Sequence, residues 1–214
     1  MKKILFSDRF GLTQAVLEGR KTMTRRVIKA PRTMEGKDVY GYSVVKYPRT
    51  GVPIEVMALD ADGAQINNIL PKFKVGEVVA VAQSYHCLNK SGYVAPEWLD
   101  HYCEDSAGYE NKMFVRADLM PHQIRITNVR VERLQDISDE DCLLEGIYNW
   151  KDAPDCPSGQ KNCPIELYAH DGSWDGFQSP REAFAALIDK VSGKGTWASN
   201  PWVFVYEFEL VKED

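Results

Sequence analysis

Strict alternation of apolar and polar residues marks two long stretches of the chain and predicts half-buried β-strands there. The first runs from Gln123 to Leu134, where the Thr127-Asn128 step shifts the phase as a β-bulge would. The second runs from Trp202 to Val211. A continuous apolar run from Val78 to Ala82 instead predicts a strand buried on both faces.

Three shorter apolar segments predict further strands, at Lys3 to Ser7, at MTRRVI from Met23 to Ile28 and at Met113 to Ala117. Successive side chains of a strand point to opposite faces. The strand MTRRVI therefore places Thr24 and Arg26 on one face and Arg25 on the other.

Three helices are predicted from helical spacing and from end signals. Apolar residues recur at helical intervals in Phe10 to Glu18 and in Pro180 to Val191. Between them, Ser138 precedes three acids and can cap a helix that extends through Glu145, with Gly146 as its stop signal.

The order of these elements shows no βαβ rhythm, so the predicted class is α+β, built on a small, partly closed mixed β-barrel with flanking helices. Three polar segments, at about 30–70, 86–112 and 148–176, interrupt the pattern and are interpreted as loop insertions into a single domain spanning 1–214. The first is rich in proline and glycine, which predicts an irregular, hairpin-bearing insertion rather than core.

Composition adds limits on class and location. The chain has 214 residues, of which 44% are hydrophobic and 27% charged, as in ordinary globular proteins. Its apolar runs fall far short of the roughly 20 residues that a membrane-spanning helix needs. The opening MKKILFS turns polar too early for a signal peptide. We therefore expect a cytoplasmic protein without a membrane partner.

The five cysteines are odd in number, which favours reduced thiols over a disulfide framework; they are Cys87, Cys103, Cys142, Cys156 and Cys163. Together with His86 and His101 they could supply zinc ligands, but no pair has the short CxxC spacing. The favoured interpretation is scattered small hydrophobes and loop thiols, and nothing in the sequence demands a metal or organic cofactor.

The segment Gly19 to Lys29, GRKTMTRRVIK, carries five cations and no acid, although the chain has a formal charge of −5. A helix C-terminus attracts cations, which accounts for Arg20 and Lys21 but not for Arg25 and Arg26. The remaining alternatives are a solvated face or a site for phosphate or nucleic acid. The acidic chain argues against a general duplex binder and permits a pocket for one nucleotide or a short single strand.

Two residues near the closing strand are further candidates for nucleic-acid contact. Lys194 lies in the turn SGKGT, which lacks the upstream glycine of a phosphate loop but can still contact a backbone phosphate. Trp197 follows this turn and can offer a stacking surface to a base, although packing in the core is the commoner role of such residues.

Three separated motifs, ILFS…GRKTMTRRVI, LQDISDEDCLLEGI and KGTWASNPWVFVYEFELV, together resemble the ASCH domain family, which is kin to the PUA-like RNA-binding barrels. Within it, the chain is similar to small bacterial N(4)-acetylcytidine amidohydrolases, which share the G-R-K-T-x-T-x-R stretch. The three insertions lie outside this resemblance.

The resemblance implies that Lys21, Thr24 and Glu145 are the catalytic residues, because they match the motif in residue type. It implies binding of a modified pyrimidine nucleoside, a nucleotide or RNA, with hydrolysis of an amide. Other members of the family bind RNA without catalysis or cleave it as ribonucleases, so a noncatalytic RNA-binding module and a metal-independent ribonuclease remain alternatives.

The chemistry of these residue types leaves two roles open for Lys21. Crowding by cations and partial desolvation would lower its pKa and let it act as a base toward Thr24 or a water, whereas Glu145 would keep it charged, as an electrostatic stabiliser. The guanidinium of Arg25 or Arg26 can hold a phosphate or stack on a base.

The chain departs from its longer relatives at Gln83, which stands where their strand, typically LWVRETW, carries an acid. An amide can only hydrogen-bond, so the prediction of catalysis depends on whether that position belongs to the site.

Overall fold

The computed structural model describes residues 1–51, 53–90, 106–152, 167–170 and 176–211. It has the predicted α+β class, with several sheets and few helices. None of the helices in these ranges has the length and apolar character needed to cross a membrane. The candidate zinc ligands His101, Cys103, Cys156 and Cys163 lie outside the described residues.

The strands, in chain order, are β1 (Lys2–Ile4), β2 (Met23–Val27), β3 (Thr33–Met34), β4 (Lys37–Asp38), β5 (Gly41–Lys46), β6 (Pro53–Leu59), β7 (Gln65–Asn68), β8 (Val78–Val81), β9 (Gln123–Arg133), β10 (Tyr148–Asn149), β11 (Tyr168–Ala169) and β12 (Trp202–Leu210). The α-helices are α1 (Leu12–Leu17), α2 (Tyr85–Lys90), α3 (Asp139–Leu144), α4 (Pro180–Ser192) and α5 (Thr196–Ser199). Short 3-10 turns occupy Asp8–Phe10, Ala117–Leu119, Leu134–Asp136 and Trp150–Asp152.

The main sheet has five strands in the order β1-β8-β9-β12-β2, and only the β1/β8 pair is parallel. The predicted bulge in β9 is confirmed, because Glu207 pairs with Asn128 while Phe208 pairs with Ile126, which leaves Thr127 without an opposite residue. The doubly buried strand is also confirmed, since Val79, Ala80 and Val81 have no exposed surface.

The predicted barrel does not close within the described residues, since the edge strands β1 and β2 of the main sheet are not paired with each other. A side chain spans the two edges instead: the Nη2 atom of Arg26 in β2 donates to the carbonyl oxygen of Leu5, just after β1, at 2.6 Å. The sheet is therefore open in its backbone hydrogen bonding and bridged at one point by a guanidinium.

The segment 30–70 contains a three-stranded antiparallel sheet, β5-β6-β7, so the predicted hairpins are present. The interpretation of this segment as lying outside the core is wrong. Val56 is 2% exposed and belongs to the same buried cluster as Ile126 and Phe204 of the main sheet. Proline and glycine mark the turns of the segment, but they do not reveal which strand face packs inward.

The predicted strand at Met113 to Ala117 is also wrong. Asn111 begins a turn there, with its side-chain oxygen accepting from Met113 N at 2.9 Å and its carbonyl accepting from Phe114 N at 3.0 Å. Met113 and Phe114 are more than 60% exposed. The local hydrogen bonds of this turn stabilise it more than the β-propensity of a short apolar run favours a strand.

The two helices predicted with a serine cap or a neighbouring proline, α3 and α4, form as their end signals indicate. The Ser138 hydroxyl accepts from Asp141 N at the start of α3, and the Ser179 hydroxyl accepts from Glu182 N at the start of α4. Helix α4 then turns Phe184 and Leu187 into the core. This places an apolar helix face opposite the strand that carries the cationic segment.

Candidate functional site

Lys21 is buried directly after α1, where its backbone N–H bonds to the Ala15 carbonyl at 2.9 Å. Only 2% of the residue is exposed. Its Nζ donates to the Oε2 atom of Glu145 at 2.6 Å and to the Glu145 backbone carbonyl at 2.7 Å. The lysine is therefore held by a single residue that lies 124 positions away along the chain.

Glu145 reaches Lys21 because it caps the C-terminus of α3 and the chain turns sharply at Gly146, whose φ is +100°. The turn lies against the site: a Cβ atom on Gly146 would meet Leu12 Cδ2 at 3.3 Å and Lys21 Cδ at 3.6 Å. Positive φ and close packing together require glycine here.

Arg25 fixes the other oxygen of this carboxylate. Its Nη1 donates to Glu145 Oε1 at 3.2 Å, while its Nε and Nη2 bind Glu132 Oε1 at 2.7 Å and Asp141 Oδ2 at 2.6 Å. Asp141 and Glu132 also bind Arg130 on β9. The Arg25 side chain has no exposed surface, so it orients Glu145 and is not placed to bind a phosphate.

Arg26 lies on the opposite face of β2, as the alternation of the strand predicts. Its guanidinium carbon lies 5.7 Å from the centroid of the Phe6 ring, and one of its nitrogens binds the Leu5 carbonyl. Thr24 shares this face and is 5% exposed.

A cavity of about 290 Å³ opens between β2 and α4. Its polar wall includes Lys21, Thr24, Arg26 and Glu145, together with Arg25 and Lys112. Its apolar wall comprises Leu12, Phe184, Leu187, Ile188 and Val191. Four cations and one acid line the cavity, so it favours a guest that is electron-rich or anionic at one end and apolar at the other.

Burial controls the protonation chemistry of the cavity wall. Desolvation lowers the pKa of Lys21 against the opposing effect of Glu145. Desolvation also lowers the pKa of Arg26. For Arg25, burial acts in the same direction, but Glu145 and Glu132 outweigh it and raise its pKa. Burial thus disfavours the charged forms of Lys21 and Arg26, whereas the surrounding acids favour the charge of Arg25.

The structure brings Lys21, Thr24, Glu145, Arg25 and Arg26 together, whereas three other candidate residues lie outside the cavity wall. Arg20 pairs with Glu18 at 2.7 Å on the surface. Lys194 is exposed in the turn before α5. Trp197 packs edge-on against Phe184, with a centroid distance of 6.2 Å, and Arg181 lies over its ring.

Gln83 does not line the cavity, although it is only 8% exposed. Its Oε1 is buried without a hydrogen-bond partner among the described residues. The departure from the longer relatives at this position therefore removes no carboxylate from the cavity wall.

Sequence reasoning missed two groups of residues at the site. The carboxylates of Glu132 and Asp141 hold Arg25, and the apolar side chains of α4 form the second wall. The acids carried no local signal beyond strand alternation and helix capping. The apolar face of α4 was visible in the sequence, but its partner was not.

Metal binding has no support in the described residues, since they contain no group of three or more histidine, cysteine, aspartate or glutamate side chains placed to hold an ion. Of the cysteines described, Cys87 is exposed and Cys142 is buried. Burial raises the pKa of Cys142 to about 12, so this thiol stays protonated.

Comparison with protein-family models, with curated proteins and with solved structures gives no match to this chain.

Proposed function

We propose that the protein is an ASCH-type, PUA-like nucleoside amidohydrolase, which binds a modified pyrimidine nucleoside or nucleotide in the cavity between β2 and α4 and hydrolyses its exocyclic amide. The observation that carries the proposal is the convergence of one amine, one hydroxyl and one carboxylate on a single concave site. Lys21, Thr24 and Glu145 all line the cavity, and the first and last are in direct contact.

The size of the cavity favours a single nucleoside over a strand. Ligand pockets usually start at about 300 Å³, and this one has about 290 Å³. Lys21 and Thr24 are also too deeply buried to meet the backbone of an extended RNA. A base with a small acyl group can place its carbonyl at the polar wall and its apolar parts against α4.

The Lys21–Glu145 contact suggests how protons move. A proton transferred across the 2.6 Å contact converts the ion pair into a neutral amine and a carboxylic acid. The amine then takes the proton of the nucleophile, which is the Thr24 hydroxyl or a water beside it, as the nucleophile's oxygen bonds to the amide carbon. Glu145 gives its proton to the nitrogen as the carbon–nitrogen bond breaks, and the ion pair is restored.

The other polar groups have supporting roles in this scheme. Arg25 holds Oε1 of Glu145 and leaves Oε2 for the proton transfer. Arg26 supplies positive charge on the face that carries Thr24 and can stabilise the developing oxyanion. When the nucleophile is Thr24, the Lys21–Glu145 proton transfer recurs in a second half-reaction. The Lys21 amine takes one proton of a water as its oxygen bonds to the acyl carbon, and Glu145 gives its proton to the threonine oxygen as the ester bond breaks, which releases the acid and restores the ion pair.

Incubation with N(4)-acetylcytidine tests the proposal directly. We expect cytidine and acetate in equal amounts by chromatography, with the rate reduced about 10²- to 10⁴-fold in Lys21→Met and Thr24→Val. Thr24→Val keeps the side-chain shape and leaves both ion pairs of Glu145 in place, so we expect this variant to fold. Lys29→Met is the matched control, because Lys29 is exposed and lies outside the cavity.

Parallel incubation with short RNA separates the alternatives. Strand scission without acetate release would support the ribonuclease. Binding of nucleoside or RNA with neither product would support the noncatalytic module. A wild-type protein that releases no acetate contradicts the hydrolase proposal, whatever the variants do.

A further inference from the structure

A second cavity adjoins the first and shares two of its residues. It has a volume of about 230 Å³ and is lined by Ile4, Leu5, Arg26, Lys72, Phe73 and Tyr206. Leu5 and Arg26 also line the cavity that holds Lys21. The guanidinium that bridges the open edges of the main sheet therefore lies between the two hollows.

The wall of the second cavity is positively charged and carries no acid to balance that charge. Its lining includes the cations Arg26 and Lys72 and no acid. Across the described ranges, no carboxylate lies within ion-pair distance of either cation; the contacts found are the Leu5 carbonyl and the Phe6 ring for Arg26, and the Phe73 ring for Lys72. Glu77, an acid on the adjoining turn, instead pairs with Lys2, whose Nζ lies 3.0 Å from its Oε1.

A largely buried arginine without an anion in contact is unfavourable, since buried charges in proteins are normally paired. Glu145 acts on Arg26 from beyond contact distance, but burial outweighs it and lowers the pKa of Arg26. The guanidinium has five N–H donors in a planar fork, and a single hydrogen bond of Arg26 is found in the described part of the chain. An anion in the second cavity would supply the missing partner.

The remaining polar group of the cavity also suits an anion. The Tyr206 hydroxyl accepts from Lys72 N at 3.0 Å. Burial raises the pKa of this phenol, so it keeps a proton that it can donate to a guest. The charge of Lys72 also acts on Lys3 of β1, whose pKa is lowered first by burial and then by Lys72.

We propose that this second cavity is a phosphate subsite, in which Arg26, Lys72 and Tyr206 bind the phosphoryl group of a nucleotide whose base occupies the first cavity. Arginine and lysine beside a hydroxyl donor are the usual protein ligands of phosphate, and the apolar residues Ile4 and Phe73 exclude water from the contact. The inference rests on the proposed function for the identity of the base, whereas the binding of phosphate does not depend on amide hydrolysis.

Calorimetric titration with cytidine, cytidine 5′-monophosphate and inorganic phosphate tests the subsite. Since a hydrogen bond to a charged group is worth about 1.5–3 kcal/mol, we expect the monophosphate to bind at least about tenfold more tightly than cytidine at low salt. Lys72→Ala should reduce this preference to about twofold, and inorganic phosphate should compete with the monophosphate but not with cytidine.

Lys74→Ala is the matched control, since Lys74 is also exposed, lies two positions away and does not line the cavity. Equal affinity for cytidine and its monophosphate in the wild-type protein overturns the subsite. So does an equal loss in the Lys72 and Lys74 variants, which would indicate a diffuse surface charge.

Two further measurements identify the source of the phosphate and keep the proposals separate. A Lys72-dependent preference for a short oligoribonucleotide over the mononucleotide would support the subsite with an internal phosphodiester as its ligand. Acetate release that is equally fast with and without a 5′-phosphate, and unaffected by Lys72→Ala, would contradict the subsite and leave the hydrolase intact. Lys72-dependent binding without acetate release would support the subsite and contradict the hydrolase proposal.

Discussion

At the scale of single residues, the site depends on the buried contact between Lys21 and Glu145. Removing two charges from water is unfavourable unless each gains close partners. Lys21 has both a carboxylate oxygen and a carbonyl of the same residue, and the second carboxylate oxygen is held by Arg25. The pair is thus fixed in place, while burial lowers the pKa of Lys21 from its ordinary value.

The pH profile of acetate release reports this pair. The proposed chemistry needs one proton shared between Lys21 and Glu145, so activity is lost when the pair gives up that proton to solvent and becomes a neutral amine beside a carboxylate. Because burial lowers the pKa of Lys21 from its ordinary value of 10.5, we expect the rate to fall with rising pH at a midpoint below that value. The measurement is the hydrolysis rate across the alkaline range on protein shown by circular dichroism to remain folded.

The control for this profile is Glu145→Gln, which cannot deliver a proton and should lose the alkaline limb together with most of the activity. A wild-type rate that keeps rising through the ordinary lysine range would exclude a shared proton as the active form.

At the scale of elements, the short helix α3 positions the acid. Ser138 caps the start of the helix, whose six residues are Asp139–Leu144, and Glu145 caps its end directly before the turn at Gly146. Asp141, in the first turn, binds Arg25 from the same helix. One helix therefore supplies both the carboxylate that meets Lys21 and a carboxylate that holds the arginine behind it.

Substitution of Gly146 tests this arrangement. Gly146→Ala adds a side chain at a φ of +100° and brings its Cβ to 3.3 Å from Leu12 Cδ2. We expect the free energy of unfolding to fall by about 1–3 kcal/mol and acetate release to fall with it, because the turn that carries Glu145 must shift. Urea unfolding and the hydrolysis assay measure the two effects.

Gly63→Ala is the matched control, since Gly63 has a φ of +77° and an added Cβ would have no neighbour within 4 Å. It carries the backbone strain without the contact and should leave activity unchanged. Equal loss of activity in both variants would contradict a local role for Gly146.

At the scale of the whole molecule, the three-stranded sheet of segment 30–70 is part of the structure that supports the site. Val56 of β6 packs into the cluster that contains Ile126 of β9 and Phe204 of β12. Phe204 in turn pairs with Arg26 on β2, next to the cavity. The segment that the sequence marks as an insertion thus contributes to the core on which the cationic strand rests.

Val56→Asp tests this contribution. It places a charge without a partner in the buried cluster, and we expect a loss of about 3–5 kcal/mol in the free energy of unfolding. Glu55→Ala, on the exposed side of the same strand, should change it by less than about 0.5 kcal/mol. A small effect of Val56→Asp in urea unfolding would show that the segment unfolds independently of the main sheet.

The features that the sequence predicted well depend on neighbours along the chain. The bulge at Thr127, the cap at Ser138 and the opposite facing of Arg25 and Arg26 follow from strand and helix periodicity and from local hydrogen bonds. The resemblance in motif named Lys21, Thr24 and Glu145, and these three residues share one cavity. Their roles in catalysis stay predictions. The strand predicted at Met113 does not form, because the Asn111 side chain accepts from Met113 N and stabilises a turn there.

The sequence by itself determined the α+β class, the five strands of the main sheet and three of the five described α-helices, because periodicity and capping act over a few residues. It also contains the cationic segment, and the resemblance in motif named Glu145 as its acid partner. Only the tertiary structure decided that Arg25 binds three acids, that Arg26 spans the open edges of the sheet between two cavities, and that α4 forms the apolar wall. These contacts join residues far apart in the chain, and they depend on how whole elements pack, which no local pattern of residues specifies.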